Sequence, residues 1–178
     1  MYNSEFPALA YCVAWFSWAI YSFNSGHFAS TILTRNLPFA VTLACDPYAY
    51  GRALFTEFTG CRCILPSAAA LLDHIRGSGE PGLIDGYLTH SHRYQTSDPT
   101  HAFWSIQASI VTQMQLIRKL RLFVAFVHPD HDGRSVAKFI AQLSHSGWVI
   151  SSTKCHFPNH GDSVIGTTTI IVGVHTNT

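Results

Sequence analysis

Two segments of this sequence gather side chains able to do chemistry. In THSHRYQ, His90 and His92 are spaced by one residue and followed by Arg93 and Tyr94; HPDHD runs from His128 to Asp132. Imidazole and carboxylate suit zinc or manganese. If the two segments converge, His90, His92, His128, Asp130 and His131 form a metal-ligand set able to serve a hydrolase. Neither segment has the fixed spacing of HExxH. The plainer reading is polar loop residues with no metal, Asp130 or Asp132 capping the following helix. A third candidate is acidic: Asp46 closes the apolar run FAVTLAC and is followed at once by Pro47 and Tyr48. There it can cap a helix, touch a ligand, or do both.

The elements that must position these residues are apolar runs alternating with helical patterns. Strands are expected at residues 9–16, 39–45, 61–65, 83–89, 121–127, 148–155 and 168–175. A loop at 17–25 and a helix at 26–36 separate the first two. A helix at 48–58 has Asp46 as N-cap and Pro47 in its first turn, and Ser67 caps a helix at 68–76. At 101–120, Phe103, Ile106, Ile110, Met114 and Ile117 recur at helical spacing, and a further helix fills 135–144. His156 and His160 fall in the loop between the last two strands.

Alternating β and α elements imply right-handed crossovers and an α/β, Rossmann-like sandwich. Its seven-stranded sheet is mostly parallel and ends in a C-terminal antiparallel hairpin, and the whole of 1–178 reads as one domain. Ligands in such sheets bind beyond the carboxyl ends of the strands. That rule selects residues 16–26, 46–48, 89–94 and 128–133.

Composition narrows the partners. Hydrophobic residues make up 47% of the chain, which excludes disorder, while charged residues are only 12% against the usual ~25%. So thinly charged a surface suits burial against another protein domain or the rest of a longer polypeptide. A net charge of +1 without a Lys/Arg block leaves room only for weak contact with nucleic acid. The five cysteines are scattered with no CxxC, which fits an intracellular compartment, cytoplasmic or nuclear. The apolar run 7–23 has no positive residue before it and is short for a span, so it reads as a buried strand rather than a membrane segment.

Taken in order, the chain resembles the catalytic domain of DNA (cytosine-5) methyltransferases over nearly its whole length. SGHFAS, at residues 25–30, is similar to the glycine-rich turn into that family's first helix. DPYA, at residues 46–49 with Phe55 and Phe58 downstream, looks like its second motif. LIDGYL before THSH sits where the family carries its nucleophile loop, and IIVGVH is similar to the strand ending its eighth motif. The resemblance implies S-adenosylmethionine as cofactor, with Phe16, Ser25, Gly26, Asp46, Pro47 and Tyr48 lining its site. It also implies a substrate loop with His90, His92, Arg93 and Tyr94. GDSVIGTTTIIVGVH, at residues 161–175, resembles DNA-modification-like domains of mobile elements.

The departures concern chemistry. The family's nucleophilic cysteine follows the fourth strand, but this chain has no cysteine between Cys63 and Cys155. Cytosine-5 transfer needs a thiolate to add to the ring. His128-Pro129-Asp130 replaces the family's Glu-Asn-Val step, and its paired arginines fall near Gly166 and Thr168. Its ribose-binding acid falls at Ala44, and bulky Trp18, Ile20 and Tyr21 occupy the first loop. The family's target-recognition part is also expected to be missing. The expectation is a degenerate methyltransferase-like domain without cytosine-5 catalysis, serving as a structural or nucleic-acid-associated module. The alternatives are a transferase using S-adenosylmethionine without a covalent step, or the metal-dependent hydrolase.

Overall fold

Short runs rich in β-branched and aromatic residues form the strands, and the segments of three- and four-residue apolar spacing form the helices. The computed structural model describes residues 17–21, 40–77, 84–90, 100–127, 133–158 and 165–176. The first half comprises β1 (Ser17–Tyr21), β2 (Ala40–Cys45), α1 (Ala49–Thr59), β3 (Ile64–Leu65), α2 (Ala68–Gly77) and β4 (Gly86–His90). The second half comprises α3 (Thr100–Arg118), β5 (Leu122–Val127), α4 (Gly133–His145), β6 (Trp148–Pro158) and β7 (Ile165–His175).

The strands form one mixed seven-stranded sheet in the order β3-β2-β1-β4-β5-β7-β6. Neighbours from β3 to β5 are parallel, and β7 is antiparallel to both β5 and β6. The crossover from β2 out to β3 and the one from β3 back to β4 run in opposite directions along the sheet. Right-handed crossovers therefore place α1 on the face opposite α2.

One sheet face, with Leu43, Tyr87, Phe123 and Ala125, is covered by Leu71 and Ile75 of α2, Trp104 and Met114 of α3, and Phe139 and Leu143 of α4. The other face carries Val41, Ala44, Leu88, Val124 and Phe126. Val41 and Leu43 are two residues apart and would share a face in a regular strand. They do not, because the pairing with β1 skips Thr42: Trp18 lies opposite Val41 and Ala19 opposite Leu43. The extra residue is a bulge that inverts the alternation.

The first strand departs from the sequence reading. It occupies Ser17–Tyr21, where a loop is expected, and residues 9–16 lie outside the described residues. The apolar run 7–23 contains no turn signal, so composition cannot place the strand within it; pairing on both sides does. Trp18, Ile20 and Tyr21 are consequently strand residues rather than loop residues. His156 likewise belongs to β6, which extends beyond its apolar part because the ladder needs only backbone groups. The helix expected at 26–36 and His160 fall outside the described residues.

The buried stripe of α3 contains Phe103, Ile110 and Met114 as the spacing suggests, with Trp104, Gln107, Ala108 and Val111 added and Ile106 and Ile117 half-buried at its margins. The helix ends with Leu120 N–H donating to Met114 O at 3.2 Å across Lys119, whose φ is 59°. The chain thus turns off the helix through one left-handed residue, a helix-end position that usually holds glycine. Lys119→Gly should therefore stabilise the fold by about 1 kcal/mol, since the left-handed conformation costs an L-residue that much. A rise in the urea midpoint with unchanged slope is expected, and an unchanged or lowered midpoint would contradict the assignment.

Candidate functional site

The carboxyl ends of the central strands are level. Tyr21 of β1 lies opposite Cys45 of β2 on one side and Thr89 of β4 on the other, and His90 pairs with Phe126 of β5. Chain order reverses between β1 and β4, which makes their shared edge the topological switch point where α/β sheets take ligands. Asp46, Pro47 and Tyr48 leave β2 at this edge, and His90 ends β4 there. Phe16, Ser25, Gly26, His92, Arg93, Tyr94, His128, Asp130 and His131 lie outside the described residues. Among the described residues no three His, Cys, Asp or Glu side chains gather as a metal set would require.

The turn from β2 into α1 is built around Asp46, which is wholly buried. Its Oδ1 accepts a hydrogen bond from Tyr48 N–H at 2.8 Å. Arg52 folds back along the helix, and its Nη1 donates to the carbonyls of Asp46 and Pro47, each at 2.9 Å. A Cβ on Gly51 would stand 2.1 Å from Asp46 Oδ2, so the carboxylate fills the space that glycine leaves.

Asp46 is thus not the N-cap, contrary to the sequence reading. The helix starts at Ala49, and its N-cap residue is Tyr48, extended at φ −93° and ψ 133° and without a side-chain cap bond. Proline disfavours helical geometry in the residue before it. With Tyr48 also extended, the carboxylate braces the turn two residues ahead of the helix. The second cap is as expected: Ser67 Oγ accepts from Ala70 N–H at 3.1 Å at the start of α2.

Buried in this way, Asp46 offers no surface to a ligand, whereas Tyr48 is 44% exposed and Tyr50 68%. The Tyr-x-Tyr spacing at the helix start was the available signal for Tyr50, which the sequence reading passes over. Exposed aromatic rings beside a crevice can stack on a base or on adenine. Behind β4 lies a second feature the sequence does not announce. Tyr87 hydroxyl donates to Gln107 Oε1 of α3 within the core. Gln107 Nε2 and Thr89 Oγ1, both buried, have no hydrogen-bond partner among the described residues.

The described thiols are unsuited to attack at this edge. Burial, and secondarily the neighbouring charge of Asp46, pushes the Cys45 thiol up to about 12. Burial also raises Cys61 and Cys63. Cys155 sits on β6, three strand spacings or about 14 Å from β4.

No family model and no curated protein sequence matches the chain. Its fold is nevertheless similar to that of solved methyltransferases. A prophage-encoded E. coli protein described as a DNA modification methyltransferase aligns at a TM-score of 0.61 and 14% identity, over 88% of this chain and 46% of that one. S. pombe Dnmt2 methyltransferase aligns at 0.61 and 10%, over 91% and 51%. M. capricolum TrmK, solved with S-adenosylhomocysteine, aligns at 0.58 and 12%, over 99% and 70%. The chain thus has an α/β methyltransferase-like fold and spans about half the length of two of these proteins. Among the described residues no helix is long and apolar enough to cross a membrane.

Two outcomes test the turn and the thiol. Gly51→Ala should destabilise the fold by about 1–3 kcal/mol, as overpacking against a fixed group does, and Asp46→Ala should relieve that clash in the double variant. Additive losses in denaturation would show that the two residues do not touch. Cys45 should resist iodoacetamide in the native protein while half-exposed Cys155 reacts. Because its folded value lies above the ordinary 9.0, the unfolded chain loses this proton first. Its contribution to stability is full below pH 9 and declines as pH rises towards 12. Cys45→Ala should flatten the alkaline limb of the stability profile, and an unchanged limb would contradict the assignment.

Proposed function

We propose that this chain is a methyltransferase-fold domain that holds S-adenosylmethionine, or its product S-adenosylhomocysteine, beyond the carboxyl ends of β1, β2 and β4. It associates weakly with nucleic acid and carries out no cytosine-5 chemistry. The observation that supports this reading is the sheet order, with the ends of β1 and β4 level at the switch point. The residues present fit the cofactor in part. Tyr48 offers an exposed ring face to an adenine, while Asp46 is engaged with its own turn and is not the group that takes the ribose.

When bound, S-adenosylmethionine supplies an electrophilic methyl group on a sulfonium. Addition of a thiolate to cytosine would need a cysteine at the end of β4, and the sequence has none between Cys63 and Cys155. Any acceptor must therefore bring its own nucleophile. The neighbour described as a DNA modification methyltransferase favours DNA as the associated polymer. The net charge of +1 makes that contact weak and strongly salt-dependent.

Calorimetric titration with S-adenosylhomocysteine should give micromolar binding. Tyr48→Ala should weaken it about tenfold, in line with ~1–3 kcal/mol for stacking on one aromatic ring. DNA containing fluorocytosine should form no covalent adduct. Absence of binding at millimolar ligand would overturn the cofactor assignment, and a trapped adduct would overturn the exclusion of cytosine-5 chemistry.

A further inference from the structure

Arg52 is fixed at the carboxyl edge, and only part of its bonding capacity is used there. A guanidinium carries five N–H groups in one plane. Nη1 donates to Asp46 O and to Pro47 O, each at 2.9 Å, so this nitrogen is committed to the turn. The backbone beneath is held as well: Arg52 N–H donates to Tyr48 O at 3.0 Å, and Thr56 Oγ1 donates to Arg52 O at 3.2 Å. Nε and Nη2 form another edge of the plane. They bond to no described residue, and neither nitrogen is enclosed, since the side chain is only half-buried. The carboxylate of Asp46 lies in the same turn but faces inward, against Gly51 and the Tyr48 N–H. The first turn of α1 adds no acidic residue. A preset pair of parallel N–H groups matches a phosphate or carboxylate in two-point contact.

The neighbours of this fork narrow the ligand. Tyr48 presents an exposed ring to a planar base. Where the second strand of an open α/β sheet ends, an acid reads the ribose hydroxyls of a bound adenosine, and an arginine nearby takes a phosphate on that ribose. At the end of β2, Ala44 has no carboxylate and that of Asp46 is buried. We infer that the Nε–Nη2 edge of Arg52 binds a phosphate monoester on the 2′- or 3′-oxygen of an adenosine ligand whose base lies on Tyr48. The inference rests on the proposed function only for the position of the adenine. S-adenosylmethionine carries no phosphate and needs the same ring, so the phosphorylated nucleoside competes with it. Because the inward carboxylate of Asp46 balances the guanidinium within the turn, recognition comes from the two-point geometry rather than from long-range charge.

Calorimetric titration of the whole chain at physiological salt, with adenosine and its 2′-, 3′- and 5′-monophosphates, tests the assignment. The 2′- or 3′-monophosphate should bind about tenfold more tightly than adenosine, the effect of one charge-assisted contact. The 5′-monophosphate carries the same charge on the other side of the ribose and should gain little. Arg52→Lys keeps the charge and a donor for the two carbonyls but has no fork, so the preference for phosphate should be lost. Circular dichroism checks the fold of this variant, and the wild-type series stands without it. A short oligodeoxyadenylate, whose internal 3′-phosphates are diesters, should bind no more tightly than the preferred monophosphate. Equal affinity for all four small ligands, no binding of any, a preference for the 5′ isomer, tighter binding of the oligonucleotide, or a preference retained in a folded Arg52→Lys would each overturn the inference. Titration with S-adenosylhomocysteine separates the two readings. If it binds while phosphate adds nothing to adenosine, this inference alone fails; if the monophosphate binds and S-adenosylhomocysteine does not, the cofactor assignment alone fails.

Discussion

Parallel pairing of β1 on both of its sides is the constraint from which the rest of the arrangement follows. Five residues, Ser17–Tyr21, hold β2 on one flank and β4 on the other, and their register makes three strand ends level. Parallel neighbours cannot be joined by tight turns, so each step along the sheet needs a crossover, and the helices follow from that. A slip of one residue would exchange the two faces of the strand and misalign the edge. The bulge at Thr42 shows how closely register is accommodated: β2 gains one residue relative to β1 and still ends opposite Tyr21.

At that edge, one group commits itself to structure and leaves its neighbours to meet solvent. Asp46 is the carboxylate best placed by sequence to meet a ligand, yet it is spent within the turn, against Gly51 and beneath Tyr48 N–H. The aromatic rings that follow it remain exposed. The same burial that encloses Asp46 keeps Cys45 protonated, and the carboxylate's charge adds to the effect. An edge with accessible rings and, among the described residues, no accessible thiolate is suited to holding a planar ligand.

Much of this was legible in the sequence. Apolar runs bounded by Pro, Gly and Ser placed β2, β4 and β5 within a few residues, and Ser67 announced the start of α2 through its own hydroxyl. Legibility failed where local chemistry is silent. The run 7–23 is apolar throughout, and only long-range pairing decides that the described strand begins at Ser17. Asp-Pro before a helical pattern looks like a cap, and only the extended backbone of Tyr48 moves the helix start onward to Ala49. Gln107 looks like a surface residue of α3, but it is buried because Tyr87 supplies a hydroxyl within the core.

The central claim is that the level edge of β1, β2 and β4 is where the cofactor binds. Amide chemical-shift mapping during titration with S-adenosylhomocysteine tests it most directly. The account predicts shifts concentrated at Ile20–Tyr21, Asp46–Tyr50 and Leu88–His90, with β6 and β7 unmoved. Shifts confined to the β6–β7 hairpin, or none at saturating ligand, would contradict it.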